Sequence, residues 1–83
     1  MKVEVSLFGF GEDRPAKFSS SDRLDLNMNG PSTIATALAS AGLANAHGIS
    51  VMLNGVLAPP RDWDQKNLAD GDSLKVLLAL EGG

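Results

Sequence analysis

The chain has 83 residues, enough for one domain, with 43% apolar residues, 20% charged residues and a formal net charge of −3. It has no cysteine and a single histidine, which excludes disulfides, thiolate catalysis and cysteine-bound metals, and its acidic balance argues against a nucleic-acid binder. A domain this small buries only about 60–65% of the surface its unfolded chain exposes, so a deep active-site pocket is not expected.

Residues 2–8 alternate, with Val3, Val5 and Leu7 on one face and Lys2, Glu4 and Ser6 on the other, the pattern of a half-buried strand. Gly9, Gly11, Asp13 and Pro15 break the chain. A second alternation at Leu24, Leu26 and Met28 predicts a strand that forms a hairpin with the first, through a long, loose connection over 9–22. Gly30-Pro31-Ser32-Thr33 reads as a helix start, with Ser32 or Thr33 as cap. Ile34, Ala37, Leu38 and Ala41 form the apolar stripe of that helix, and Gly42 stops it. Ile49 to Leu53 is a third strand, and Asn54-Gly55 a tight turn into a short fourth strand that Pro59-Pro60 ends. Residues 61–70 read as irregular, and Asp70-Gly71-Asp72 as a turn. Leu74, Val76, Leu78 and Leu80 alternate in a last strand.

This order predicts an α+β fold: a mixed five-stranded sheet with one main helix packed on one face. It fits the β-grasp, or ubiquitin-like, architecture, with first and last strands parallel at the centre. The expected organisation is one β-grasp domain over 1–80 and a flexible tail, Glu81-Gly82-Gly83. Met1-Lys2 leads straight into a strand pattern and no apolar run approaches the roughly 20 residues of a membrane span, so neither a leader nor a membrane role is expected. A cysteine-free domain of this size is expected in the reducing cytoplasm.

His47 sits in a Gly/Ala/Asn-rich loop with no second histidine or cysteine to complete a metal site or a catalytic pair; it reads as an exposed loop residue, and no metal is expected. Asp70 and Asp72 read as turn formers rather than acid–base partners, and Trp63 as a lid on the core. Phe8, Leu77 and Ala79 differ: they fall on the face opposite the helix, where an apolar patch on a small domain suggests partner binding. The other candidate is the tail. Glycines without side chains thread through a narrow channel, and residues 81–83 reach roughly 10 Å.

The run Asn54-Gly55, Pro60-Arg61-Asp62-Trp63, Leu68-Ala69-Asp70-Gly71-Asp72 and Glu81-Gly82-Gly83 resembles the C-terminal half of the ThiS sulfur carrier family. Leu7-Phe8-Gly9 and the longer first hairpin resemble the sister family MoaD. The resemblance implies a carrier, not an enzyme. Its Gly83 carboxylate would be adenylated by a ThiF- or MoeB-like enzyme and converted to a thiocarboxylate with sulfur from a sulfurtransferase. A thiazole-synthase-like acceptor (thiamine thiazole) is expected first, a molybdopterin-synthase-like acceptor next. No cofactor is expected on the carrier itself; ATP is used by the activating partner. Glu81 departs from these families, which often place a small residue before Gly-Gly. The alternative is a ubiquitin-like interaction module or protein modifier, acting through its sheet face or by isopeptide formation at Gly83.

Overall fold

The computed structural model describes residues 1–19 and 21–79. Its strands are β1 (Lys2–Phe8), β2 (Arg23–Asn27), β3 (Ile49–Leu53), β4 (Val56–Ala58) and β5 (Ser73–Leu78), with one helix, α1 (Ile34–Ser40). They form one sheet in the order β2-β1-β5-β3-β4. β1 runs parallel to β5, with Glu4 opposite Ser73 and Phe8 opposite Leu77, and the other pairings are antiparallel. This is the β-grasp expected from the alternation pattern, with the first and last strands side by side.

Period-two alternation determines which residues meet. Val3, Val5, Leu7, Leu26, Val51, Leu74 and Val76 face the helix and are buried with Ile34, Ala37, Leu38 and Ala41. That is the predicted helical stripe, and α1 is held by this contact, since seven residues are too few to be stable alone. Thr33 is the cap, its side chain accepting from the Thr36 N–H at 3.3 Å.

The connection over 9–22 is tighter than expected. Two 3-10 turns, Gly11–Asp13 and Ala16–Phe18, fold it back so that Phe10 and Phe18 enter the core. Phe18 is among the largest fully buried side chains, and burying an aromatic ring stabilises by about 1.5–3 kcal/mol, enough to hold a segment that lacks a period. Two strand ends also differ from the alternation. β2 stops at Asn27, though Met28 stays buried and its N–H donates to the Met1 carbonyl at 2.7 Å. β5 stops at Leu78, and Leu80 lies outside the described residues.

Candidate functional site

The sequence motifs of the C-terminal half resolve into two structural knots. At the first, Asn54 and Gly55 both have positive φ and close the β3–β4 turn. The Asn54 side chain then ties the turn to β5: its Oδ1 accepts from the Ser73 N–H at 2.9 Å and its Nδ2 donates to Asp72 Oδ1 at 3.0 Å. Asp72 Oδ2 accepts from the Ala69 N–H, and Asp70 Oδ1 from the Lys2 N–H, both at 2.7 Å. The two aspartates therefore join the 69–72 turn to β1 and the hairpin, as their reading as turn formers requires.

At the second knot, a 3-10 turn over Pro60–Asp62 carries Trp63, whose Nε1 donates to the Ala58 carbonyl at 2.9 Å while the ring packs against the core. The Trp63 and Lys66 carbonyls accept from the Ala35 and Ile34 N–H groups at 3.0 and 3.1 Å. These are first-turn donors of α1 that have no partner within the helix. A cleft of about 300 Å³ lies beside this knot, lined by residues that include Leu53, Val56, Asp62 and Lys66. It adjoins Leu53, which pairs with Leu74 at the start of β5. His47 is exposed in its loop, as expected.

The opposite end of the sheet is where β5 leaves it. Phe8 and Leu77 are register partners, and Gly9 follows Phe8 where β1 turns away. The Ala79 N–H donates to the Gly48 carbonyl at 2.8 Å, carrying the β3–β5 pairing one step past the strand. The tail residues singled out from the sequence, Glu81, Gly82 and Gly83, lie outside the described residues.

The three predicted partner-binding residues lie close to this exit. Phe8 is 47% exposed, on the face away from α1. Leu77 is half-buried beside it, and Ala79 is exposed just beyond β5. Lys75 stands with its ammonium 5.4 Å from the centre of the Phe8 ring, within cation–π range. Sequence reading missed that Met52 and Leu57 share this face. They pair with each other, Met52 also pairs with Lys75, and Leu57 is 63% exposed. The signal was present: with Val51 inside, alternation turns Met52 outward, and the two-residue Asn54-Gly55 turn sets Leu57 opposite it. Of the charged neighbours on β1 and β2, Arg23 donates to Glu4. The hydrogen bond to Glu4, followed by its charge, raises the Arg23 pKa above its ordinary value, so that guanidinium is a fixed positive charge at any working pH. The face therefore offers two apolar pairs, Phe8 with Leu77 and Met52 with Leu57, with Lys75 on β5 between them, and the first pair adjoins the exit of β5.

A model described as the ThiS family matches residues 10–83. No curated protein matches the chain. Among solved structures, the chain is similar to the putative molybdopterin converting factor subunit 1 of Pyrococcus furiosus, at TM-score 0.70 and 15% identity over 96% of this chain and 99% of that one. It is similar to the thiamine biosynthesis protein ThiS of Geobacter metallireducens, at TM-score 0.62 and 19% identity over 96% and 99%. It also matches a chain of the complex of subunits 1 and 2 of the molybdopterin-converting factor of Helicobacter pylori, at TM-score 0.62 and 24% identity over the whole of both chains. At these identities the structural likenesses establish the shared fold.

Proposed function

We propose, from the premise that the chain belongs to the ThiS family of ubiquitin-fold sulfur carriers, that it carries sulfur as a thiocarboxylate at Gly83. The observation that carries this reading is the reach of the family match, which runs from residue 10 through Gly82-Gly83. A carboxylate at the end of a chain is ionised at pH 7, its reference pKa being about 3.5, and is a poor electrophile. An adenylating partner overcomes this by joining the Gly83 carboxylate to the AMP part of ATP and releasing pyrophosphate. The terminal sulfur of a sulfurtransferase persulfide then attacks the acyl carbon and AMP departs. A thiol cleaves the resulting S–S bond, leaving the thiocarboxylate on the carrier. The carrier supplies address and reach; its partners supply the catalysis.

The sheet face fits the address. Phe8, Leu77 and Ala79 adjoin the exit of β5, so a partner seated on this face has its active site within reach of the tail. Of the sulfur-requiring pathways, thiamine thiazole synthesis is the first assignment, because the matching family is ThiS, and molybdopterin synthesis is the second, because MoaD-like structures share the fold.

Incubation with a ThiF-like adenylating enzyme, ATP and a persulfide donor tests the reading. The expected intact-mass gain corresponds to one sulfur replacing one oxygen, and it vanishes when Gly83 is deleted. An unchanged mass with an enzyme that charges its own carrier would sink the proposal. Appearance instead of lysine-linked conjugates through Gly83 would favour the protein-modifier reading.

A further inference from the structure

The exit of β5 is bounded by two glycines, and at one of them a side chain would press on backbone. After the Phe8–Leu77 pair, β1 departs from the sheet at Gly9 with φ +82°. A Cβ built on Gly9 would stand 3.0 Å from the Leu78 carbonyl oxygen and 3.9 Å from the Leu78 carbonyl carbon. The opposed oxygen is backbone, so a side chain here would require the backbone itself to give by a few tenths of an ångström. On the other flank the Gly48 carbonyl holds the Ala79 N–H. Ala79 is thus held from the start of β3, with Leu78 lying close beside the first turn.

We infer that Gly9 is a positioning residue for charging: its bare Cα lets the Leu78 carbonyl lie close, and this fixes the direction in which β5 leaves the sheet. The inference rests on the reading of Gly83 as the activated group. A partner docked on the sheet face holds the body of the carrier, while its active site must receive the carboxylate. Residues 79–83 span roughly 16–18 Å at full extension, and the direction in which the chain starts out sets which part of that range it can reach. A misplacement of about 1 Å at a reacting centre costs about a hundredfold in rate. A side chain at position 9 displaces the Leu78 carbonyl or the Gly9 backbone, and either change re-aims the exit.

The test compares Gly9→Ala with Gly30→Ala. Gly30 has nearly the same φ, +80°, but a Cβ there meets nothing within 4 Å, so it reproduces the backbone cost without the clash. Adenylation by a ThiF-like enzyme is read by ATP–pyrophosphate exchange. Gly9→Ala is expected to lose about tenfold or more in kcat while KM, set by docking, changes less than about threefold; Gly30→Ala is expected to match the wild type. Amide hydrogen exchange adds a readout that needs no partner: Gly9→Ala speeds exchange at Ala79 and leaves Val5 and Val76 protected. Should Gly9→Ala fold poorly, Gly9→Asn tolerates positive φ better while keeping the Cβ clash, and is expected to show the same kcat loss. Wild-type kcat in a folded position-9 variant, equal losses at 9 and 30, or unchanged Ala79 exchange overturns the inference. A wild-type chain that is never adenylated overturns the carrier reading instead.

Discussion

Phe8 shows how a single side chain can be spared from the core and still be placed with care. Its neighbour Leu7 is buried, while Phe8 itself is half exposed, registered with Leu77 and approached by Lys75. Truncating it removes aromatic surface from the outer face without opening a cavity, so the fold is expected to survive. Phe8→Ala or Leu77→Ala is expected to weaken partner docking by about 1–2 kcal/mol, a roughly 5- to 30-fold rise in KM for adenylation with little change in kcat. Steady-state kinetics over carrier concentration, with circular dichroism to verify folding, provide the check. A matching kcat loss would mean that these residues act on tail placement rather than docking. Phe8 could be located from alternation alone. Met52 and Leu57 needed one further step, because their place depends on the register carried across two neighbouring strands.

Among the elements, α1 was the most legible and the segment facing its N-terminus the least. The stripe Ile34, Ala37, Leu38 and Ala41 follows the helical period, and the Thr33 cap has a local signature. Nothing local reveals that the Trp63 and Lys66 carbonyls accept from the Ala35 and Ile34 N–H groups, because backbone carbonyls carry no side-chain code. The same holds for Phe10 and Phe18, which enter the core from short turns without periodicity. Trp63, the last residue of the Pro60–Trp63 motif in the family resemblance, therefore acts together with Lys66 as an external cap on a seven-residue helix. Thr33→Ala is expected to cost about 1 kcal/mol, a fall of about 4–8 °C in Tm for a domain of this size. Thermal unfolding followed at 222 nm checks it. A change well below this would show that the 63–66 carbonyls already suffice.

For the whole molecule, the dominant fact is that β5 lies inside the sheet, bonded to β1 on one side and β3 on the other. The body and the tail therefore differ sharply in what their removal does. Deleting Gly82-Gly83 is expected to leave Tm unchanged within about 1 °C, since terminal residues seldom add to stability unless tied down, while abolishing charging. Deleting residues 73–83 removes Leu74 and Val76 from the core and is expected to unfold the domain, as loss of cooperative melting would show. The chemical role proposed for the tail rests on motif resemblance and the family match; packing and periodicity arguments speak only for residues that are part of the folded body.

The central position of β5 also bears on how the chain is made. A ribosome releases β1 first and β5 late, so the parallel pair at the middle of the sheet cannot form until Ser73–Leu78 have cleared the exit tunnel. Chains abandoned before that point lack the strand that joins both halves of the sheet, and cellular proteases meet them unfolded. They are not expected to persist as folded copies that display Phe8 but lack the tail, so premature termination is expected to lower the number of complete chains without adding competitors to them.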